Sequence, residues 1–434
     1  MAISPEQHTA MQNWIRSTAH PLTTVGLSAP LDDLRPLLGM LDERTAVVGY
    51  GAGTRGAHEL FALQVRIARL LVGEAGFRAV AFDQDWTLGV RLDTYVRTGA
   101  GDPVALLMSA EPFCRTAEVL ALVRWMRAFN EAHPHDPVRF VGVSPHETGP
   151  SAYDTVADYV RRAAPELLDE LESCYADLRP QGEMPAHTRH FRALSHRRAW
   201  CDRARAAHAL VAGVPGSDGH AWALHTARVI VQFHELHDHD HDSLDPHNMA
   251  YYERSIAENV AWWHQHTGHK VLLWTSSSHS AKAHARAISF PPNPAHASRN
   301  AGSHLHAQFR DRYLSIGLTF GRGELATYAD TPPHRVPRPA PPLVESVLGD
   351  EAAGDYLLNL RTAAPQPVTD WLVQTATFRA IGPRYDPDND TAHHMTGGSL
   401  TEWFDVLVHR RHVTPARPLH RAEPSAKTRR DPPT

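Results

Sequence analysis

The stretch VVGYGAGTRGAHEL, from Val47 to Leu60, contains the turn that decides the fold. An apolar run leads into three glycines, Gly51, Gly53 and Gly56, and an amphipathic helical pattern follows directly. This order of strand, tight turn and helix is typical of the first βα unit of an α/β protein, and the GxGxxG spacing also occurs in dinucleotide-binding turns. The stretch therefore predicts a buried strand followed by a helix, and it leaves open what the turn holds.

A dinucleotide site at this turn is one interpretation, and the rest of the chain gives it little support. Such sites carry an acidic residue about 20 residues beyond the turn, whereas Asp83, at the end of the next predicted strand, stands farther along the chain. Arg55 offers a cation for a phosphate group. A lone GxGxxG is a weak signal, so we expect no cofactor.

The composition predicts a globular protein that binds neither nucleic acid nor membrane. Of 434 residues, 42% are hydrophobic and 21% are charged, and the net charge is −5. A small negative charge gives no electrostatic attraction to nucleic acid or to anionic lipid. The sequence shows no apolar run of about 18 residues and no secretory leader. We therefore expect a cytoplasmic protein whose partner is a small molecule.

Short runs of β-branched and aromatic residues alternate with helical patterns and predict the strands of a sheet. The early runs are almost continuously apolar, as in strands that are covered on both faces. The predicted strands lie at 45–50, 78–83, 138–143, 270–275, 313–320, 355–360, 378–382 and 403–409. The predicted fold class is α/β, a layered sheet of mainly parallel strands flanked by helices.

Residues 151–269 contain long helical patterns and no convincing strand. We interpret this segment as an α-helical lobe over the strand ends, where a cleft between lobe and sheet would hold a ligand. The α/β core then comprises 25–150 and 270–414, and a helical extension over 1–24 precedes it. Residues 415–434 are rich in Arg, Pro and Ser and predict a disordered tail.

The glycine turn also resembles the erythromycin esterase family, whose first strand ends in a G-E-x-T-H-G-x-x-E turn followed by a helix. The corresponding sequence here is GAGTRGAHE, over 51–59. Similar blocks follow in the family's order: YVRTGAGDP (95–103), RTAEVLALVRWMRAFN (115–130), the AEN of RSIAENVAWW (254–263), KVLLWT (270–275), DRYLSIGLTFGRGEL (311–325), and FDVLVH with the later ARPL. The resemblance covers roughly 25–419 and implies the fold of that family, with macrolides among the known substrates.

The resemblance implies histidine and glutamate side chains that activate water in the cleft, and most of those positions are substituted here. Ala52 and Arg55 stand where the family carries glutamate and histidine. Ser144 replaces an aspartate, Tyr252 an arginine and Ser276 a histidine. Because a guanidinium has no lone pair with which to accept a proton, the family's water-activation route should be disabled.

Some positions keep chemistry that a remodelled site can use. Glu59 and His279 are retained, and Asp83 supplies a carboxylate where the family carries glutamate. The catalytic candidates are His279, Asp83, Arg55, Tyr252 and Glu59. We expect His279 and Asp83 to transfer protons, and Arg55 and Tyr252 to stabilise developing charge. Candidates for substrate binding are Trp86, Ser144, His146, Glu253, Ser276 and His58.

The run HELHDHDHDSLDPH, over 234–247, alternates histidine with aspartate. Imidazole and carboxylate suit zinc or nickel, which makes His234 and His237 weak candidates for metal ligands. The alternative is a solvated polar loop with incidental metal affinity. We expect no functional metal.

Three functions remain open at this point. We favour an enzyme with a remodelled site that uses acid–base catalysis without net hydrolysis, because the substituted strand-end residues remain polar. Cyclisation, dehydration or elimination of a polyketide-like or other natural product in a biosynthetic pathway would fit. The alternatives are a hydrolytic esterase of a macrolide or lactone and a non-catalytic protein that binds a small molecule.

Overall fold

The computed structural model describes residues 3–238, 246–284, 286–292, 295–327, 332–349 and 353–419. Within these ranges the strands are β1 (His20–Pro21), β2 (Val47–Ala52), β3 (Phe77–Asp85), β4 (Arg139–Ser144), β5 (Lys270–Ser276), β6 (Ala287–Ser289), β7 (His296–Ala297), β8 (Tyr313–Leu325), β9 (His334–Val336), β10 (Tyr356–Asn359), β11 (Phe378–Arg379), β12 (His394–Thr396) and β13 (Val406–Val413).

The α-helices in the same ranges are α1 (Pro5–Thr18), α2 (His58–Glu74), α3 (Trp86–Thr98), α4 (Pro103–Met108), α5 (Ala117–Ala132), α6 (Pro150–Ala163), α7 (Leu168–Tyr175), α8 (Met184–Ala193), α9 (Arg197–Gly213), α10 (His220–Asp238), α11 (Pro246–Thr267), α12 (Ser277–Ser280), α13 (Ala301–Phe309), α14 (Glu345–Leu348), α15 (Gln366–Leu372) and α16 (Leu400–Trp403). None of these helices combines the length and the apolar character that a bilayer span requires.

The main sheet has the strand order β1, β10, β13, β8, β2, β5, β3, β4, with β9 beside β8. The six strands from β13 to β4 are parallel to one another, whereas β1, β9 and β10 are antiparallel to their neighbours. A second, four-stranded antiparallel sheet has the order β11, β12, β6, β7. The predicted α/β class and the mainly parallel sheet are confirmed.

Strand β2 lies at the centre of the parallel sheet, as its continuous apolar run predicts. All six residues are buried, with β5 on one side and β8 on the other. The register sets Ala52 beside Ser276 and Leu318. Because the strands are parallel, the residues that follow β2, β3, β4 and β5 meet at one edge of the sheet.

The glycines of the opening turn are required by the packing of the chain itself. A Cβ atom at Gly56 would lie 1.5 Å from the carbonyl oxygen of Ala326, and one at Gly51 would lie 2.4 Å from that of Ser276. Neither position therefore has room for a larger residue. Close packing against neighbouring segments of the chain is therefore a sufficient reason for glycine at these two positions.

Helices cover both faces of the sheet, and a separate group of helices forms the lobe. Apolar side chains of α2, α3 and α5 pack on one face, and those of α11 and α13 pack on the other. In the described part of 151–269 the regular secondary structure is helical, and α6, α7, α8, α9 and α10 share a core of their own that includes Tyr153, Phe191 and Trp200.

Two terminal segments differ from what their sequences suggest. The 1–24 segment contains α1 and also supplies β1, an edge strand of the main sheet. At the other end, residues 415–419 of the predicted disordered tail contact the core, where Leu419 donates its N–H to the Arg115 carbonyl at 2.8 Å. Residues 420–434 lie outside the described part of the chain.

Candidate active site

A cavity of about 490 Å³ lies where the strand ends meet the helical lobe. This volume is within the range of small-molecule pockets, about 300 to 1,000 Å³. The strand ends contribute Ala52, Arg55, Asp83, His146, Ser276 and His279. The lobe side contributes Pro185, Thr188, Arg189, Arg192, His237, Met249 and Tyr252.

Asp83 is buried at the end of β3 and binds two residues from different elements. Arg55 donates Nη2–H to one carboxylate oxygen, and Tyr252 donates its hydroxyl to the other. Burial favours the neutral carboxyl, but Arg55, His279 and Tyr252 outweigh it and lower the pKa of Asp83 to about 2. Arg55 and Tyr252 occupy both oxygens of Asp83, so the carboxylate positions these two residues. A pKa this low also makes Asp83 a weak base, and the proton transfer that we predicted for it has no support from this arrangement.

The Arg55 guanidinium is fixed by three neighbours. Besides the bond to Asp83, its Nη2 lies 3.4 Å from Thr275 Oγ1, and its Cζ lies 4.0 Å from the centre of the Phe113 ring. The side chain keeps 20% of its surface exposed while lining the cavity. Among the described residues these contacts use only Nη2, so Nε–H and Nη1–H remain for an anionic oxygen of a bound molecule.

His279 is held by a buried carboxylate. Its Nδ1 lies 2.8 Å from Oε1 of Glu253, which also accepts from Arg286 Nη2 at 3.1 Å, and Glu253 Oε2 accepts from the Ala301 N–H at 2.8 Å. Burial raises the pKa of Glu253, but His279 and Arg286 outweigh that effect and hold the pKa below its ordinary value. Because an ionised carboxylate only accepts, Nδ1 carries the hydrogen and Nε2 is the basic nitrogen of His279.

Tyr252 lies between the two anchored groups. Its ring stacks on His146 with centroids 4.5 Å apart and meets the edge of His279 at 5.8 Å. Burial and the adjacent Asp83 raise the pKa of Tyr252 well above its ordinary value. Its hydroxyl hydrogen is directed to Asp83, so Tyr252 positions the carboxylate in this arrangement and does not donate to a substrate. Adjacent residues of α11, Tyr252 and Glu253, thus hold Asp83 and His279 respectively.

Two predicted residues at the start of α2 lie outside the cavity. Glu59 accepts the Thr414 N–H at 2.6 Å and the Thr414 hydroxyl at 2.8 Å, and these bonds hold the end of β13 against the helix. His58 Nδ1 lies 2.5 Å from Glu118 Oε1, on α5. The structure therefore gives both side chains a role in joining elements, and the catalytic and binding roles that we predicted for them have no support from their position.

Ser144 and Trp86 also follow strands but do not line this cavity. Ser144 is buried, and its Oγ accepts the His146 N–H at 3.3 Å. Trp86 begins α3 and packs edge-on against His225 at 4.7 Å within a cluster that includes Trp222. Ser144 thus supports the loop and Trp86 belongs to the core, and their positions give no support to the substrate contacts that we predicted for them.

The two weak metal candidates have other partners. His234 is fully buried, and its Nε2 lies 3.2 Å from the Tyr153 hydroxyl. His237 lines the cavity, but its Nδ1 accepts from Arg192 at 2.8 Å and its Nε2 donates to the His146 carbonyl at 2.9 Å. The described residues contain no group of three potential ligands, and residues 239–245 of the histidine–aspartate run lie outside them.

Sequence reasoning missed part of the cavity. Glu147 follows the predicted His146 directly and could have been found by the same strand-end rule, and Glu111 and Phe113 come from the loop before α5. The helix α8 contributes Arg189 and Arg192, and its only signal is a spacing that places lining residues on one helix face.

Glu147 gives a test of the electrostatics of the cavity. Burial, together with the carboxylates of Asp85 and Glu111, raises the pKa of Glu147 to about 7. An acid whose pKa is higher in the folded than in the unfolded state loses stability as pH rises from the unfolded value of 4.5 through about 7. Glu147→Gln should thus stabilise the protein at about pH 8 by up to about 2 kcal/mol after solvent screening, and leave it unchanged at about pH 4.

The measurement for Glu147 is urea unfolding of both variants across this pH range. Exposed Glu166 on the lobe provides a matched control, and Glu166→Gln should leave the pH dependence of the unfolding free energy as in the parent. A Glu147→Gln curve parallel to that of the parent would contradict the raised pKa.

Comparisons with known proteins give a family match and similar solved structures. Residues 72–413 match the family model described as Erythromycin esterase. A crystal structure of a Bacillus cereus protein is similar at 25% identity and a TM-score of 0.81, over 95% of this chain and 99% of that one. A succinoglycan biosynthesis protein is similar at 25% identity and a TM-score of 0.80, over 96% and 100%. A mutant of erythromycin esterase EreC in its open conformation has 14% identity and a TM-score of 0.63, over 89% and 95%, which shows the fold alone.

Proposed function

We propose that this chain, which belongs to the erythromycin esterase family, hydrolyses an ester or lactone bond in a small molecule. The observation that carries the proposal is the pair formed by His279 and Glu253. The carboxylate orients an imidazole whose Nε2 is basic, on a residue that lines a cavity of small-molecule size. This is the arrangement that general-base activation of water requires.

The proposed reaction uses groups already fixed at the cavity. His279 Nε2 removes a proton from water as the water oxygen attacks the substrate carbonyl. Nε–H and Nη1–H of Arg55 stabilise the negative charge that develops on the carbonyl oxygen. The carbon–oxygen bond then breaks, and the proton on His279 passes to the leaving alkoxide. The net change is the addition of one water.

The substitutions support a working site over a decayed one. The family resemblance implies histidine at position 55 and arginine at position 252, whereas this chain has arginine and tyrosine there. In the structure both replacements bind the same carboxylate, Asp83. The cation that the family carries at position 252 is thus found at position 55 here, and the Tyr252 hydroxyl donates the second hydrogen bond to Asp83. Two departures that satisfy one buried charge together are expected of a remodelled site.

Hydrolysis is not the reaction that the sequence favours, which is acid–base catalysis without net hydrolysis. The non-hydrolytic hypothesis needs Asp83 as a second base and Tyr252 as a proton donor, whereas in the structure these two groups are hydrogen-bonded to each other. One observation still favours a non-hydrolytic reaction as the second candidate. Glu147 lines the same cavity with a pKa of about 7, and it could supply the acid that an elimination or dehydration needs beside the base His279.

Product mass separates these candidates. The protein would be incubated with a panel of aryl esters, small lactones and macrolides, and the products followed by mass spectrometry in isotope-labelled water. We expect a gain of one water containing the label. An isomeric product or a loss of water would favour the second candidate. Bound substrates that stay unchanged would contradict hydrolysis and favour a non-catalytic binding protein.

A further inference from the structure

The helix α8 presents one face to the cavity. Its lining residues are Pro185, Thr188, Arg189 and Arg192, and spacings of three and four residues place them on the same side of the helix. Arg189 and Arg192 are therefore neighbouring cations on the lobe side of the cavity, while His279 comes from the strand ends.

Arg192 has no carboxylate partner among the residues that the structure describes. Its Nη2 and Nε lie 2.8 Å and 3.2 Å from Nδ1 of His237, a neutral acceptor. Burial lowers the pKa of Arg192, as is expected of a cation that has lost water without gaining an anion. A half-buried guanidinium in this state favours the binding of an anion from solution.

His237 fixes the direction of Arg192. Because Nδ1 accepts from the guanidinium, Nε2 carries the hydrogen and donates it to the His146 carbonyl at 2.9 Å. The His146 ring then stacks on Tyr252, which binds Asp83. Contacts therefore connect Arg192 to the strand-end groups, and its guanidinium is held in place before a ligand arrives.

The other charges of the cavity limit what this cation can bind. Glu111 and Glu147 also line the cavity, and the cation that acts most strongly on Glu147 is Arg115. Neither carboxylate forms an ion pair with Arg192, so the positive charge of Arg192 is not neutralised by them. Both carboxylates nevertheless repel a second negative charge on a ligand. A monoanionic carboxylate meets both conditions better than a doubly charged phosphate does.

We propose that the substrate carries a carboxylate group that binds Arg192, with Arg189 adding to the attraction. The inference rests on the proposed function for the position of the reacting bond, which lies near His279. The substrate is then an acid whose carboxylate faces the lobe side of the cavity and whose ester or lactone bond faces the strand ends.

Two matched aryl esters test this assignment. Mono-4-nitrophenyl glutarate carries a carboxylate, and 4-nitrophenyl butyrate does not. We expect the parent protein to prefer the glutarate ester, and Arg192→Gln to lose about 10- to 100-fold in kcat/KM on that ester alone. Arg192→Lys should keep part of the preference, because it retains the charge but not the planar fork. Exposed Arg162 on α6 gives the control Arg162→Gln, with no change.

A binding measurement separates this inference from the proposed function. Calorimetry would compare 4-phenylbutyrate with its uncharged amide on the parent, Arg192→Gln and His279→Gln proteins. We expect only Arg192→Gln to lose the preference for the acid, by about tenfold or more. Equal binding of acid and amide by the parent, or tighter binding of phenyl phosphate than of the acid, would overturn the carboxylate assignment. An Arg192-dependent preference without turnover of either ester would overturn hydrolysis and leave the anion site standing.

Discussion

Replacing His279 with glutamine is expected to lower kcat for ester or lactone hydrolysis by about 100- to 10,000-fold. Glutamine can donate to Glu253 as the imidazole does, but it has no nitrogen that accepts a proton from water. The variant should therefore keep its fold and its affinity for ligand, since Arg55, Asp83 and Tyr252 are unchanged. Steady-state kinetics on any ester that the parent protein turns over, with calorimetry for binding, measures both quantities.

Exposed His135 provides the matched control for this substitution, because it lies in the turn before β4 and does not line the cavity. His135→Gln should have parental kinetics. If His279→Gln kept more than about a tenth of the parental kcat while folded, His279 would not be the proton-transfer group, and the proposed function would fail.

Removing the carboxylate of Glu253 is expected to have the largest effect on stability. The side chains of Glu253 and Arg286 are both fully buried, and Glu253→Ala would leave the guanidinium without its charge partner and the Ala301 N–H without its acceptor. Loss of one member of a buried ion pair costs about 3 to 5 kcal/mol. Urea unfolding at neutral pH should show this loss in the free energy of unfolding.

A double variant separates stability from catalysis at this pair. Glu253→Leu with Arg286→Met replaces the buried charges by apolar groups and should recover most of the lost stability. Activity should stay low, because His279 is no longer oriented by a carboxylate. A Glu253→Ala protein within about 1 kcal/mol of the parent would show that Arg286 is compensated in another way.

The sheet could be predicted well because its evidence is local. A strand covered on both faces needs a continuous apolar run, and such runs mark β2, β3 and β5 directly in the sequence. The edge strand β1 has no such run, since His20 and Pro21 are exposed. Its position depends on pairing with β10, which lies far away in the sequence.

The candidate site could be predicted in part for a similar reason. Residues that directly follow parallel strands meet at one edge, and this rule placed Arg55, His146 and His279 in one cavity. The same rule does not predict which way a side chain points once a helix has begun. Glu59 and Trp86 stand close to strand ends, yet the first faces the end of β13 and the second faces a ring cluster.

The sequence does not predict the protonation states of the titratable groups in the site. The sequence makes Asp83 a candidate base, but its pKa depends on Arg55 and Tyr252, which stand 28 and 169 residues from it in the chain. Helix α8 was missed because it comes from the lobe, and no local pattern says which loop or helix a lobe will bring over a cleft.

Chemical rescue of His279→Gly by imidazole tests directly whether His279 transfers the proton in hydrolysis. The variant leaves space for a free imidazole beside Glu253, in a cavity that is open to small molecules. We predict that added imidazole restores hydrolysis in a saturable way and that the glycine variant alone has almost none. A folded, ligand-binding His279→Gly protein whose rate is unaffected by imidazole, or equals that of the parent without it, would contradict proton transfer at this position.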